Sequence, residues 1–266
     1  AINENLAGVA DGSVNWTDYN NDGYPDLFVS GSGTANLYKN NGDSTFSSVN
    51  TGIEGMSNSS SSWGDFNNDG RQDLVLTGED TQSQTAVKIY RNDGGNNFTE
   101  LNAGIDGLER GSSDWADFNN DGLLDLLITG QNSSANPQTV VYRNDGNGSF
   151  TAIQAELTGL SESYAQWGDF DGNGLPDIMV TGLNDTDSFT QTLLYKNNGN
   201  GGFTDIGAGL SGAFRGTGDW GDFDGDGFLD LIVAGSDEVL LFQNEQLQGT
   251  ATEEVSERPR TVQLKQ

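Results

Sequence analysis

The chain contains no cysteine and no histidine. Without cysteine there is no disulfide, no thiolate–zinc site and no thiol nucleophile, and the redox compartment is left open. Without histidine there is no Ser-His-Asp relay, no imidazole ligand for a metal and none of the usual general bases near neutral pH. Basic residues are also few: 11 Lys and Arg stand against 40 Asp and Glu, a formal net charge of −29. A surface of that sign repels polyanions, which argues against nucleic acid and anionic membranes as partners. No run of about 18 apolar residues exists for a membrane span. No signal peptide is visible at Ala1 and the chain starts mid-pattern, as expected of a mature or excised piece. Apolar residues make up only 33%, while Gly numbers 38, which disfavours helical bundles and favours a turn-rich β protein. A length of 266 residues suits a single barrel or propeller.

What is abundant is one repeated unit that accounts for every Trp in the chain. In its last copy Trp220 is followed by Asp222, Asp224, Asp226 and Asp230 at loop positions 1, 3, 5 and 9, with Gly227 at position 6 and Phe228 at position 7. The other copies begin at Trp16, Trp63, Trp115 and Trp167. Their loop residues are Asp18, Asn20, Asp22, Tyr24 and Asp26; Asp65, Asn67, Asp69, Arg71 and Asp73; Asp117, Asn119, Asp121, Leu123 and Asp125; and Asp169, Asp171, Asn173, Leu175 and Asp177. Oxygen side chains at alternate positions, with a glycine that turns the chain back on itself, wrap a hard cation. Calcium, which takes six to eight oxygens at loose geometry, suits such a loop better than magnesium. Position 7 varies from Tyr to Arg to Leu, as a backbone-carbonyl ligand would allow. Five divalent ions would offset ten of the 29 negative charges.

Turn propensity alone does not demand oxygen side chains at positions 1, 3, 5 and 9 five times over. An EF-hand needs Glu at position 12, where this chain has Val29, Leu76, Ile128, Val180 and Val233. A calcium-binding β-helix would show a nine-residue period, and none is present.

The first loop Asp recurs at intervals of 47, 52, 52 and 53 residues, the mark of repeat architecture. Each period reads as four short strands joined by Gly, Asn and Asp turns. The second strands, from Asp26, Asp73, Asp125, Asp177 and Asp230, are continuous apolar runs ended by Gly, as in strands buried on both faces. The third centre on Tyr38, Tyr90, Tyr142, Tyr195 and Phe242, and the fourth begin at Phe46, Phe98, Phe150 and Phe203, with none after Phe242. Polar runs such as 57–62 are short enough to be loops. A ring of four-stranded repeats is a β-propeller, here all-β with five blades over 1–248, followed by a tail or linker at 249–266. Because Ile2–Val9 aligns without gaps to Ile153–Leu160, the N-terminal strand is expected to complete the last blade and close the ring. In the tail, the alternating Thr261–Lys265 offers a short strand that could dock elsewhere. The five Trp, one per blade at a fixed place, are expected to pack blade against blade.

The Asp-x-Asn-x-Asp-Gly-x-x-Asp loop followed by an apolar strand and Gly resembles the FG-GAP or VCBS repeat. That repeat is found in integrin α-subunit propellers, some sugar-binding fungal propellers and many secreted bacterial proteins. The resemblance covers residues 1 to about 248. It implies about five calcium ions, one per repeat, held by side chains at positions 1, 3, 5 and 9 and the carbonyl at 7. The literal Phe-Gly-Gly-Ala-Pro signature is absent, and familiar members have seven blades, so a fragment of a larger ring stands beside a complete five-blade one. The function implied is an extracellular or cell-surface, calcium-stabilised binding or adhesion module, without enzymatic activity, for a protein or glycan partner. Its alternatives are a structural spacer of a larger secreted protein and, behind it, a propeller polysaccharide lyase or hydrolase. The ligand surface is expected opposite the metal loops, with Arg110, Tyr164, Phe214 and Arg215 its most recognition-like residues. The oligomeric state is left open.

Overall fold

A computed structural model describes residues 6–186, 188–235, 238–245 and 261–263. The protein is all-β, five blades of four antiparallel strands in a propeller ring, with no helix among the described residues. Blade one holds β1 (Ser13–Thr17), β2 (Asp26–Gly31), β3 (Thr34–Asn40) and β4 (Phe46–Val49). Blade two holds β5 (Ser57–Gly64), β6 (Asp73–Glu79), β7 (Thr85–Gly94) and β8 (Asn97–Leu101). Blade three holds β9 (Ser113–Ala116), β10 (Asp125–Gln131), β11 (Pro137–Asn144) and β12 (Phe150–Ala152). Blade four holds β13 (Ser161–Gly168), β14 (Asp177–Asn184), β15 (Phe189–Asn197) and β16 (Phe203–Asp205), with β17 (Leu210–Ser211) added against β15. Blade five holds β18 (Thr217–Gly221), β19 (Asp230–Gly235), β20 (Glu238–Phe242) and β21 (Thr261–Gln263).

The second strand of each blade is the core. In β2, β6, β10 and β14 every residue from the loop Asp to the closing Gly is buried, in β6, β10 and β14 because a neighbouring blade covers each face and in β2 because Val9 and Phe46 cover Leu27, Val29 and Tyr38 on the side away from blade two. Four apolar clusters fill the junctions between successive blades, each drawing side chains from both. Aromatic pairs sit at the same place each time. Trp115 stacks on Phe66 with ring centres 6.1 Å apart, Trp167 on Phe118 at 6.1 Å and Trp220 on Phe170 at 6.3 Å. At the first junction Trp63 meets Phe28 edge-on at 5.3 Å. The third-strand Tyr hydroxyls of Tyr38, Tyr90, Tyr142 and Tyr195 each accept a backbone N–H from the segment that enters their blade.

Two expectations are corrected. The last blade is completed by Thr261–Gln263, which pairs with β20, and not by the N-terminal strand. Residues 2–5 of that expected strand lie outside the described residues, and 6–9 form no strand. The alignment to 153–160 identifies the true counterpart, since most of that stretch too is the strandless connection between blades. The N–H of Ala7 reaches the Tyr38 hydroxyl just as Thr158 reaches Tyr195. The polar run 57–62 is likewise not a loop but most of β5. Innermost strands crowd together, so small hydroxyl residues fit there and bond one another. Ser13 meets Ser61 at 2.6 Å and Ser30 meets Ser59 at 3.1 Å across the first junction.

Candidate metal loops and the opposite rim

Each nine-residue loop joins the first strand of its blade to the second, and its acidic side chains first organise its own backbone. In the third loop the Asp117 carboxylate accepts the N–H of Asp121 at 3.0 Å and of Gly122 at 2.7 Å. Asn119 accepts Asp121 N–H at 2.8 Å, and Asp121 accepts Leu123 N–H at 2.9 Å. The same bonds recur around Asp18, Asp65, Asp169 and Asp222. Gly122 has φ +88° and an added Cβ would meet nothing within 4 Å, so the backbone angle rather than lack of room calls for glycine there. Position 4 also has positive φ, and Asn21, Asn68 and Asn120 use it to donate to Gly70, Gly122 and Gly174 carbonyls in the next blade's loop. The first four loops are thereby tied in turn, while the fourth has Gly172 at this position.

Carboxylates converge at positions 1, 3 and 9 of the fourth loop and at positions 1, 3 and 5 of the fifth. Oxygens of Asp169, Asp171 and Asp177 lie within 4.8 Å of one another, as do those of Asp222, Asp224 and Asp226. Asp26, Asp73, Asp125, Asp177 and Asp230 are all buried. One oxygen of each accepts a backbone N–H from Asn40, Asn92, Asn144, Asn197 or Asn244. The second oxygen of Asp73 is buried with no protein partner. Burial first, and then the loop's other carboxylates, pushes Asp73 and Asp125 up to about 7 and Asp177 up to about 6. Burial raises Asp26 as well. A buried acid beside two or three more acids is unfavourable unless a cation balances it. Side-chain donors supply part of that balance: Lys39 to Asp22 at 3.1 Å, Arg71 to Asp69 at 2.6 Å, Lys196 to Asp171 at 2.5 Å and the Gln243 amide to Asp224 at 2.6 Å. The donor set and the orphaned Asp73 oxygen fit a hard divalent ion. Tyr24, Arg71, Leu123, Leu175 and Phe228 stand at position 7, where only the backbone carbonyl would be used.

On the opposite side, the residue five places before each Trp opens the first strand in a left-handed conformation. These are Asp11, Asn58, Arg110, Glu162 and Arg215, with φ between +48° and +55°. None is glycine, and each such angle costs about 1 kcal/mol or more. Three of them lock together: Arg110 donates to one Glu162 oxygen at 3.0 Å and Arg215 to the other at 3.1 Å. Arg215 also lies over the Phe214 ring at 5.4 Å. The structure therefore gathers Arg110, Phe214 and Arg215 but leaves Tyr164 as a packing residue against the cluster between blades four and five. Asp11, Asn58 and Glu162 were not singled out from sequence. Reading the fifth residue before every Trp would have found all five.

Among solved structures, a lectin of Agrocybe aegerita, described for its recognition of non-reducing terminal N-acetylglucosamine, is 20% identical with a TM-score of 0.55. The match covers 88% of this chain but 63% of the lectin, less than two thirds of its length, and at that identity it shows the fold. The Vibrio cholerae biofilm matrix protein Bap1 is 14% identical over 78% of this chain and 30% of its own, with a TM-score of 0.45. A Photorhabdus luminescens Tc holotoxin pore is 17% identical over 86% of this chain and 11% of its own, with a TM-score of 0.44. Neither of these two superposes closely enough to bear on function. The FG-GAP-like repeat profile matches residues 18–76, 65–128, 117–180 and 169–233, each stretch running from one loop into the next blade. With most of its length so matched, the chain belongs to the FG-GAP-like repeat family.

Proposed function

We propose that the protein is a calcium-stabilised extracellular binding module, not an enzyme, that presents the rim opposite its metal loops to a protein or glycan partner. The observation that carries the metal half is the buried position-9 carboxylate, repeated in all five loops next to further acidic side chains. One ion per loop would be held by the side chains at positions 1, 3, 5 and 9 and by the position-7 carbonyl. At free calcium about a hundredfold above a site's Kd, each ion would stabilise the fold by about 2.7 kcal/mol. Five such contributions rival the roughly 5–15 kcal/mol of an ordinary domain, so the ions are read as structural. The fifth loop, with four carboxylates, binds most tightly. In a calcium titration Asp222→Ala should be the most harmful of the five position-1 variants, and a ranking with it mildest would reverse that assignment.

The binding half rests on strained backbone retained at five equivalent non-glycine positions and on the Arg110–Glu162–Arg215 cluster there. The lectin likeness agrees with a glycan partner only as a likeness of fold. A glycan array probed with calcium-loaded protein and with Arg110→Ala/Arg215→Ala tests this. Binding that the double variant loses supports the reading, whereas array binding untouched by it moves the site elsewhere. Degradation of an offered polysaccharide would replace the binding reading with catalysis.

A further inference from the structure

Four of the five places where one blade meets the next are packed, and the fifth is not. Every junction from blade one to blade five buries the aromatic at loop position 2: Tyr19, Phe66 and Phe118 are 2% exposed and Phe170 8%. Phe223, the same position in blade five, is 52% exposed. The matching Trp of blade one, Trp16, is 65% exposed. Phe28, Val75, Leu127 and Met179 are fully buried under the following blade, but their counterpart Ile232 is exposed, as is Val239 beside it. Val14, exposed, holds the place that Ser61, Ser113 and Ala165 hold buried. Among the described residues, blade five and blade one therefore do not pack against each other as the other blades do.

Two further details show what each end would accept. An added Cβ on Gly168 would lie 2.5 Å from the Trp220 indole, and one on Gly64 3.1 Å from the Trp115 ring, so in these two blades the glycine after Trp makes room for the next blade's Trp. At Gly221 an added Cβ would meet nothing within 4 Å, leaving the same space with no indole in it. The side-chain amides of Asn92, Asn144, Asn197 and Asn244 each donate twice, once within the blade and once to the carbonyl of Tyr19, Phe66, Phe118 or Phe170 in the blade before. Asn40 donates to Pro25 alone.

We infer that the exposed end of blade five receives blade one of a second copy of this chain, Trp16 seating over Phe223 and Gly221 and Asn40 donating to the Phe223 carbonyl. Each chain carries both halves of the contact, and four internal junctions display how such halves fit. The contact is head-to-tail, so it propagates or closes into a larger ring and does not stop at a two-fold dimer. An exposed apolar surface at both ends calls for cover, and the burial it offers must outweigh the repulsion between two chains that each carry a charge of −29.

Sedimentation velocity on the full chain in calcium, across a wide concentration range, tests this. The expected result is a mass that grows with concentration, and a loss of roughly thirtyfold or more in affinity in Trp16→Ala and in Phe223→Ala, as for an aromatic anchor. Because both side chains are exposed, the variants should keep the wild-type circular dichroism. Mixed together, the two variants each retain one intact end and should form a one-to-one pair that neither forms alone. A mass of one chain at every concentration, or association that survives both substitutions, overturns the inference, and the ends then belong to another occupant.

Discussion

The junction between blades three and four and the seam between blades five and one are built from the same sequence positions and end up in opposite states. At the first, Trp167 is 7% exposed and lies nearly parallel to Phe118, with an interplanar angle of 3°. At the second, Trp16 and Phe223 face solvent. Among the described residues, the aromatic ring that Trp16 meets is Phe46 of its own blade, at 6.2 Å. The repeat thus encodes both a knob and a socket on each blade, and the state of each depends on whether a neighbour is supplied. In a quasi-linear array, stability is a sum of repeat and interface contributions, so an unmatched end is a deficit that the internal interfaces must carry.

The largest test of that difference is removal of the ions. Asn21, Asn68 and Asn120 link the first four loops in turn through Gly70, Gly122 and Gly174, whereas loops four and five have Gly172 and Gly225 at that position and no such side chain. Calcium in one loop should therefore support the following junction. A strong chelator is expected to lower Tm by tens of degrees and to open Trp167 to a fluorescence quencher, while Trp16 is equally accessible before and after. An unchanged Tm would remove the ions from the account of stability.

Next in size is the indole itself. Trp167→Ala should cost about 3–5 kcal/mol in urea unfolding, the loss for a large buried aromatic. Trp16→Ala, measured at a dilution where copies are apart, should cost less than about 1 kcal/mol. Equal costs would mean that the seam is packed in solution.

Much of this was legible in the sequence because the repeat states it five times. Strand order, loop positions and the packing role of Trp all follow from a period near 50 residues and from the alternation of oxygen side chains. The seam was not legible, since Trp16 and Phe223 look like their sisters and only the three-dimensional end of the ring sets them apart. The N-terminal stretch misled for a related reason: its match to 153–160 is real, but an apolar residue every few positions suits a connection packed on a blade as well as a strand. The run 57–62 misled because serine is common in loops, whereas near the axis its small size and hydroxyl are what a crowded inner strand accepts.

Asp114 gives a pH test of the packed junction. Its carboxylate accepts the N–H of Trp115 and of Trp167 in the next blade, each at 3.0 Å, and burial pushes it up to about 6. A carboxyl with a raised folded-state pKa binds more protons folded than unfolded, so its contribution to stability falls as pH rises from about 4 to about 6 and stays lower above. The change is at most about 3 kcal/mol. Asp114→Asn should flatten that part of the pH–stability curve when compared with wild type in calcium, and an identical slope would show that Asp114 titrates normally. At the seam the same position holds Asp219, whose carboxylate accepts the N–H of Trp220 in its own blade at 3.0 Å and none from a following blade among the described residues.

The smallest expected effect separates the two regions at one hydrogen bond. Asn144 is buried and donates to Leu124 in its own blade at 3.0 Å and to Phe66 across the junction at 2.8 Å, while its oxygen accepts Gly146 N–H at 2.9 Å. Truncating it leaves a buried carbonyl of each blade unpaired, a cost of about 1–3 kcal/mol. Asn40 makes the same two bonds within its blade, to Pro25 and from Gly42, but has no acceptor across the seam. Its side-chain amide is exposed enough for water to replace what is lost. Asn144→Ala should therefore destabilise more than Asn40→Ala by about 1 kcal/mol in dilute solution, and the gap should close at concentrations where chains associate, because Asn40 then acquires the bond that Asn144 already has. A gap that stays constant across concentration would place the Asn40 amide outside the contact between copies.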